Sequence, residues 1–231
     1  MIGQLAFNFR LASDATFCNY VGHAAAKISA LTGLIYLWGP AQTGCSHLLQ
    51  ALCHASNKKR KPAIYLERLW EHDEALLNGL EVMSVIAIDD IDKVIGDPKW
   101  ELALFHLINA VKDKKGCLVL GAKTPPNRLA VELNDLRSRL ISAVTVRTDL
   151  LTDQEKLQAL QRRAQFRGYA LDDDVAHFLL VRVKRNMRSL MEALEKILFL
   201  EVLATTRSRL QKEKIMIGSK ISILEKIKSS Y

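Results

Sequence analysis

A glycine-rich loop at residues 39–46 is the first feature that could do chemistry. Its sequence, Gly39-Pro40-Ala41-Gln42-Thr43-Gly44-Cys45-Ser46, matches the phosphate-binding pattern GxxxxGK[ST] at both glycines and at the final serine. Such a loop binds phosphate because successive backbone N–H groups and the N-terminus of the following helix face the anion. Ser46 could place its hydroxyl on a magnesium ion. Cys45 occupies the lysine position, so the cation that neutralises the β- and γ-phosphates is missing.

A second motif, Val85-Ile86-Ala87-Ile88-Asp89-Asp90, has four apolar residues followed by two carboxylates. This is the form of a Walker B strand, in which Asp89 would hold magnesium, directly or through water, and Asp90 would lie where a catalytic base orients water. Each motif also has a simpler explanation: a tight strand-to-helix turn for the loop, and a buried strand ending at a solvated acidic turn for the carboxylates. Because both occur in order and at the ends of predicted strands, the pair predicts a nucleotide site.

Short apolar runs predict the strands that would carry these motifs. Helical spacing of apolar residues lies between several of them, as at 47–56 and 100–111. Strands that are apolar throughout and alternate with helices predict a parallel sheet covered on both faces. The five predicted strands are residues 34–38, 63–66, 85–88, 117–121 and 143–146.

The strand pattern stops near residue 150, and helix signals follow it. Thr152 and Glu155 have capping-box spacing, which predicts a helix to about residue 167, ended by Gly168. A second helix is predicted to begin at residue 172 or 173, and Asn186 is predicted to cap a third. The sequence therefore predicts an α/β domain followed by a helical lid.

Composition limits the classes of function. The chain has 231 residues, 49% hydrophobic and 25% charged, which excludes general disorder. No apolar run approaches the roughly 20 residues that a membrane span needs. The N-terminus has no secretion-signal pattern, so we expect a cytoplasmic location. Four cysteines at 18, 45, 53 and 117 lack paired spacing, which argues against a zinc site and a disulfide framework.

The net charge of +8 suggests nucleic acid, but its distribution weakens that suggestion. Residues 207–231 hold seven Lys/Arg against two Glu, so residues 1–206 carry only +3. Aromatic residues make up 6% of the chain, and no basic stretch interleaves them as a base-stacking surface would. The main body is not predicted to bind DNA directly.

Two arginines and several segments extend the pattern. Arg139 precedes the fifth predicted strand and Arg188 lies in the first turn of a lid helix; each alone could be a surface residue. Residues 16–21 (TFCNYV) resemble the TFxNF(V) segment that opens the AAA+ domain of the bacterial initiator DnaA. Residues 186–194 (NMRSLMEAL) resemble its sensor 2 segment, NVRELEGAL. Together with segments 4–9, 88–91, 133–140 and 153–160, they make the chain similar to the Hda family of DnaA regulatory inactivators over roughly residues 4–200.

The resemblance implies a P-loop AAA+ domain with a parallel five-stranded sheet and a C-terminal helical lid. It divides the chain into an N-terminal sliding-clamp-binding segment, an AAA+ nucleotide-binding domain, the lid, and a basic tail of unknown role that does not match the family's ending. The corresponding ranges are 1–12, 13–150, 151–206 and 207–231.

The resemblance also implies a negative regulator of DNA replication initiation. Bound to the DNA-loaded sliding clamp of DNA polymerase III, such proteins contact ATP-bound DnaA and stimulate its ATP hydrolysis. The implied partners are DnaA, the clamp, DNA indirectly through the clamp, and as a further candidate a second copy of the chain. Arg139 would be the arginine finger acting in trans, a contribution worth roughly 10³ to 10⁵ in rate in other systems.

Two of these roles keep structural alternatives. The predicted clamp-binding residues are Gln4, Leu5, Phe7 and Phe9, but Leu5, Phe7 and Phe9 alternate as a half-buried strand would. For Arg139 the alternative is a structural salt bridge, for example to Asp135 in the preceding turn, worth at most about 1 kcal/mol if exposed.

The implied cofactor is ADP, or ATP, with Mg²⁺ held by Ser46 and Asp89. Because Cys45 leaves no charge over the γ-phosphate, we predict modest, ADP-type binding and no independent catalysis by the chain. The sensor 1 region, residues 121–126, lacks the family's Asp-Arg before its two prolines. The predicted nucleotide-binding residues are Val21, Gly39, Pro40, Gln42, Thr43, Gly44, Cys45, Ser46, His47 and Arg188.

Two functions of other classes remain open at this point. One is a working AAA+ ATPase resembling DnaA or a helicase loader, which hydrolysis of ATP by the isolated protein would reveal. The other is a DNA-binding initiator fragment, whose signature would be salt-dependent DNA binding by residues 1–206.

Overall fold

The computed structural model describes residues 11–199, and at their centre lies a five-stranded parallel sheet. The strand order is β2-β3-β4-β1-β5, so β4 lies between β3 and β1. In parallel pairing the carboxyl ends of all strands meet at one edge, and each crossover needs a long connection. The strands are β1 (Gly33–Trp38), β2 (Ala63–Leu66), β3 (Val85–Ile88), β4 (Cys117–Ala122) and β5 (Val144–Arg147).

Helices cover both faces of the sheet and form the lid. One apolar cluster packs α3 and α4 against the sheet, and a second packs α1 and α2 against the opposite face. The third cluster joins α5, α6 and α7 in the lid. The helices are α1 (Ala24–Ser29), α2 (Cys45–Lys58), α3 (Pro98–Asp113), α4 (Asn134–Ser142), α5 (Asp153–Phe166), α6 (Asp173–Arg182) and α7 (187–199).

The central strand β1 explains why its sequence is apolar without interruption. Tyr36 belongs to the α3/α4 cluster, whereas Ile35 and Leu37 belong to the α1/α2 cluster, and all three are fully buried. A strand covered on both faces has no solvent-facing positions for polar residues. The prediction of a doubly covered sheet is confirmed for this strand.

The edge strand β5 differs from the prediction of strands buried throughout. Only Val146 is buried, and the other three residues of the strand are exposed. An edge strand has a hydrogen-bonded neighbour on one side only, here β1, so less of it is covered.

The lid follows its predicted start and stop signals. The Thr152 hydroxyl accepts a hydrogen bond from the Glu155 N–H at 3.3 Å, and the Glu155 carboxylate accepts one from the Thr152 N–H at 2.8 Å, a complete capping box. Gly168 has φ +83°, which suits the residue after a helix end. Asn186 accepts a hydrogen bond from the Ser189 N–H at 2.9 Å and caps α7 as predicted.

Some predictions lie outside the described residues. These are the clamp-binding residues Gln4, Leu5, Phe7 and Phe9 and the basic tail 207–231. Within residues 11–199, no helix is long and apolar enough to cross a membrane. In the same part of the chain, no cluster of three or more His, Cys, Asp or Glu side chains could hold a metal ion.

Candidate functional site

A cavity of about 600 Å³ opens at the carboxyl edge of the sheet, between the sheet and the lid. Ligands of open α/β folds bind outside the carboxyl ends of the strands, and this volume is typical of a small-molecule site. All of the nucleotide-binding and magnesium-binding residues predicted from the sequence line it, together with Asp90. They are Val21, Gly39, Pro40, Gln42, Thr43, Gly44, Cys45, Ser46, His47, Asp89, Asp90 and Arg188.

The two glycines of the loop are required by close approach and by backbone conformation. A Cβ on Gly39 would lie 2.1 Å from the Thr148 hydroxyl oxygen and 2.5 Å from its carbonyl oxygen. Gly44 has φ +89° and is the N-cap of α2, and a Cβ there would lie 2.7 Å from the ring of Tyr20. The loop therefore keeps the compact backbone path that phosphate-binding loops need, and it leads directly into the N-terminus of a 14-residue helix.

Cys45 is tied into a small network of hydroxyl groups. Its Sγ lies 3.1 Å from the Thr148 hydroxyl oxygen, which lies 2.6 Å from the hydroxyl oxygen of Thr43. Thr43 and Thr148 are buried. Burial raises the pKa of the Cys45 thiol, against a smaller opposite effect of the two hydroxyl groups. The position that holds a lysine in the phosphate-binding pattern is thus occupied by a neutral group.

Asp89 is held by three donors. Its Oδ2 accepts a hydrogen bond from the Tyr65 hydroxyl at 3.0 Å, its Oδ1 accepts one from the Asp90 N–H at 2.9 Å, and the Ser46 side chain also contacts the carboxylate. Burial raises the pKa of Asp89 and the hydrogen bonds partly offset that effect. Neighbouring hydroxyl and carboxylate oxygens suit Mg²⁺, which is commonly bound through one or two protein oxygens together with phosphate and water.

Asp90 has the unusual φ of +50° and carries two lysine partners. Lys123 Nζ lies 3.1 Å from its Oδ1, and Lys93 Nζ lies 3.8 Å from its Oδ2. Lys123 also lines the cavity, and the Asp90 carboxylate raises the pKa of its ammonium group. The sequence analysis named the sensor 1 region, residues 121–126, but did not predict Lys123 as a site residue. Lys123 directly follows a predicted strand, but only the order of the strands in the sheet shows that this position lies near both motifs.

The lid closes the cavity with Met187, Arg188 and Met191 of α7. Arg188 is exposed and lies in the first turn of that helix, as predicted. A second lid arginine, Arg162 of α5, donates a hydrogen bond to the carbonyl oxygen of Tyr20 at 2.7 Å. This contact, which the sequence did not suggest, joins the lid to the segment that lines the other side of the cavity.

His47 and Tyr20 line the cavity through structural contacts. The His47 Nε2 lies 2.8 Å from the carbonyl oxygen of Thr16, and burial lowers the pKa of the imidazole. The Tyr20 hydroxyl donates a hydrogen bond to the carbonyl oxygen of Thr43 at 3.3 Å, and burial raises its pKa. Both side chains therefore fasten the residue 16–20 segment to the loop and to α2.

Arg139 lies away from this cavity. It lines a separate cavity of about 410 Å³ that begins at Gly33 and Leu34, the amino end of β1, whereas the loop follows the carboxyl end of the same strand. Lys112 and Lys115 line that cavity too, and none of its lining residues is acidic. Among the ion pairs of residues 11–199, none involves Arg139, so the predicted alternative of a salt bridge to Asp135 is absent there.

The neighbouring Arg137 forms a hydrogen bond with another part of the chain. Its guanidinium donates a hydrogen bond to the carbonyl oxygen of Val131, in the segment that leads into α4. The same segment is fixed by the buried carboxylate of Glu101, which accepts hydrogen bonds from the N–H groups of Glu132 and Leu133 at 3.0 and 2.7 Å. The Glu101 carboxylate thus holds the start of the helix that carries Arg139, and Arg137 adds one hydrogen bond to the segment before it.

Comparison with known proteins agrees with the fold and the lid. Residues 153–198 match the family model "Hda, lid domain". Domain III of the replication initiation protein DnaA from Thermotoga maritima is similar with a TM-score of 0.72 at 20% identity, over 85% of this chain and 92% of that one. AMPPCP-bound DnaA from Aquifex aeolicus has a TM-score of 0.67 at 20% identity, over 81% of this chain.

The structure of a branch migration motor is also similar. The RuvB Holliday junction branch migration motor of Thermotoga maritima has a TM-score of 0.59 at 17% identity, over 82% of this chain and 68% of that one. The chain spans 65% of the length of the Aquifex DnaA that it matches. The fold is therefore that of an AAA+ domain with a helical lid, as predicted.

The lid gives a more specific likeness than the overall fold, because it matches the Hda family model. The predicted resemblance to the Hda family is confirmed over the lid, residues 153–198, and the DnaA structures, at 20% identity, share the fold.

Proposed function

We propose that this chain regulates the initiation of DNA replication by acting on DnaA. The lid match and the AAA+ neighbours support a DnaA-related replication regulator. In the finer form of the proposal, the protein binds a nucleotide, docks on the DNA-loaded sliding clamp, and stimulates hydrolysis of DnaA-bound ATP with Arg139. It would thereby act as an inhibitor of re-initiation.

Nucleotide binding is supported by the cavity itself. The N–H groups at the start of α2 can hold a phosphate, Arg188 can add a charge-assisted contact from the lid, and Ser46 with Asp89 can hold Mg²⁺. A bound Mg²⁺ ion would supply charge neutralisation to the phosphates. Because Cys45 supplies no cation, we expect modest affinity and a preference for ADP over ATP.

The position of Arg139 is the single observation that carries the proposed mechanism. The arginine lines a cavity at the opposite end of β1 from the loop, in the company of two lysines and without an ion-pair partner among the described residues. A six-residue strand spans roughly 17 Å between its first and last Cα atoms, which is beyond the reach of an arginine side chain. A cation so placed can act on an anion of a partner but not on the chain's own nucleotide. Supplied across an interface, it would stabilise charge on the γ-phosphate bound to DnaA.

The proposed clamp contact belongs to Gln4, Leu5, Phe7 and Phe9. A short peptide can dock in this way because a few buried anchors carry most of the energy of an interface. If Gln4→Ala combined with Leu5→Ala leaves clamp binding unchanged and instead unfolds the protein, the half-buried strand is the better explanation.

The decisive test compares two arginines of one helix. Arg139→Ala should keep its fold, nucleotide affinity and clamp binding, yet lose stimulation of DnaA ATP hydrolysis in the presence of clamp-loaded DNA, by about 10³-fold. Arg137→Ala is the matched control, because Arg137 is already bonded within the chain. It should retain most of the stimulation.

Two results would redirect the proposal. Full stimulation by a folded Arg139→Ala protein would end the arginine-finger mechanism. Steady ATP hydrolysis by the isolated wild-type chain, abolished by Asp90→Asn, would instead support the ATPase alternative.

A further inference from the structure

We infer that the basic tail, residues 207–231, binds along the outer face of the lid helix α6 and covers an apolar stripe there. This contact uses neither the nucleotide cavity nor Arg139, so it goes beyond the proposed function. It gives a partner to a bare surface of the lid and a role to a segment that the Hda resemblance does not cover.

The outer face of α6 carries three exposed apolar side chains. Val175, Phe178 and Val181 are 36%, 58% and 73% exposed, and they follow one another at intervals of three residues. Residues so spaced lie on one side of a helix. The opposite side packs into the lid through Leu179 and Leu180, which are buried in the cluster shared with α5 and α7. Helix α6 therefore has two apolar faces, and only one has a partner among the described residues.

The start of the same helix is acidic. Asp172, Asp173 and Asp174 are exposed, and none of them forms an ion pair within residues 11–199. Carboxylates also suit a helix N-terminus without any partner, because they interact favourably with its dipole. Arg182, near the ring of Phe178, is the one basic residue of α6, so three Asp against one Arg leave a net negative charge. Acidic residues next to an apolar stripe select an occupant with both basic and apolar side chains.

The tail has this composition. It holds seven Lys/Arg against two Glu, so its charge is opposite to that of α6. Its apolar residues fall among the lysines, and three of them, Ile221, Leu224 and Ile227, repeat the three-residue interval of the stripe. The apolar set of this part of the tail is Ile215, Met216, Ile217, Ile221, Ile223, Leu224 and Ile227. Burial of these side chains against the stripe would remove apolar surface of both partners from water.

The tail of the same molecule can reach the stripe. Leu198, near the end of α7, belongs to the buried cluster that contains Leu179 and Leu180 of α6. Residues 200–206 connect that point to the tail, and seven residues can span up to roughly 24 Å. Helix α6 has 10 residues and is therefore about 15 Å long. Such a short connection gives the tail a high effective concentration at α6, which favours it over a second copy of the chain.

Trypsin cleavage of the full chain tests the contact, because the tail contains seven Lys/Arg residues. Phe178→Asp places a charge in the middle of the stripe, and Leu224→Asp does the same in the tail. Each should raise the rate of cleavage within residues 207–231 at least about tenfold, followed by intact mass, because cleavage tracks the population of released tail. Val82→Asp is the matched control, since Val82 is 62% exposed and lies outside the lid. It should leave the rate unchanged.

The double variant separates a contact from two independent effects. Phe178→Asp combined with Leu224→Asp should be cleaved no faster than either single variant, because either change alone already releases the tail. Wild-type rates in both single variants, or multiplied effects in the double variant, would overturn the inference. A dimeric wild type that becomes monomeric in Phe178→Asp with tail cleavage unchanged would also overturn it, and would assign the stripe to a second copy of the chain.

Discussion

The two ends of β1 show opposite ways of using charge. At the carboxyl end, the polar groups bond one another: Asp89 accepts from Tyr65, Asp90 pairs with Lys123, and Thr148 joins Cys45 to Thr43. At the amino end, Arg139 shares a cavity with two lysines, and among the described residues no acidic side chain lines it. The first end is organised before any ligand arrives, whereas the second presents uncompensated positive charge.

In the proposed function, this difference would allow one domain both to hold a nucleotide and to act on another protein. A preorganised pocket lowers the cost of binding because little has to rearrange. Uncompensated cations cost stability by mutual repulsion and gain an attractive interaction only when an anion approaches. Variants at the two ends should therefore separate the two activities.

The largest effect at the carboxyl end is expected from Gly39→Ala. The new methyl group would overlap both the hydroxyl and the carbonyl oxygen of Thr148, so the loop must shift. We expect nucleotide affinity to fall by about 100-fold, measured by titration with ADP, while Arg139→Ala leaves it unchanged.

Gly79→Ala is the control for this substitution. Unlike Gly39, Gly79 has a positive φ, +79°, and open space surrounds its Cβ position; it does not line the cavity. Its cost should therefore appear in stability, about 1 kcal/mol, and not in affinity. Wild-type affinity in a folded Gly39→Ala protein would mean that the loop is not the nucleotide site.

An intermediate effect, on the free energy of unfolding, is expected from Thr148→Val. Thr148 is 1% exposed, and its hydroxyl is the shared partner of Thr43 and Cys45. Removal should lower the free energy of unfolding by about 1–3 kcal/mol, because the Thr43 and Cys45 groups lose a buried partner. Urea denaturation measures this change.

Thr145→Val is the control, since Thr145 lies in β5, three residues before Thr148, and is exposed. It should change the free energy of unfolding by less than about 0.5 kcal/mol. Equal stability of both valine variants would show that the hydroxyl network does not hold the loop in place.

The smallest effect on stability is expected from a substitution in the lid, away from both ends of β1. Thr152→Ala should lower stability by about 1 kcal/mol at neutral pH through loss of the cap. The backbone N–H of Thr152 lowers the pKa of Glu155 below its ordinary value of 4.5. A carboxylate with a lowered pKa contributes stability above that ordinary value and loses it as the pH falls through the lowered pKa.

The measurement is the thermal midpoint of Glu155→Gln against the wild type at several pH values. The wild type should be the more stable at pH 7, and the difference should shrink below about pH 4.5. A difference that stays constant with pH would contradict the role of the charged cap.

Much of the fold was predictable because burial leaves a direct trace in sequence. The doubly covered strands β1, β3 and β4 are apolar without interruption, and the lid helices α5 and α7 begin after residues whose side chains cap them. The edge strand β5 was predicted in place but not in burial, because an apolar run does not reveal how many neighbours a strand has.

Site residues that follow one another in the sequence could be predicted. Site residues that neighbouring strands bring together could not. The loop and the two carboxylates are contiguous motifs. Lys123 reaches the cavity, and Thr148 reaches the Cys45 side chain, because β4 and β5 both flank β1, and strand order is set by the packing of the whole sheet. Arg162 was missed for a similar reason, since its partner, Tyr20, lies 142 positions away in the chain.

That long-range contact has a mechanical consequence. The segment from Ala12 to Tyr20 is fastened to α2, where Gln50 and His54 bond the Ala12 backbone, and to α5 of the lid, where Arg163 pairs with Asp14 and Arg162 bonds the Tyr20 carbonyl oxygen. The segment therefore connects α2, on one side of the cavity, with the lid helix α5 on the other. A displacement of the backbone at Ala12 would therefore act on α2 and on the lid helix α5 together.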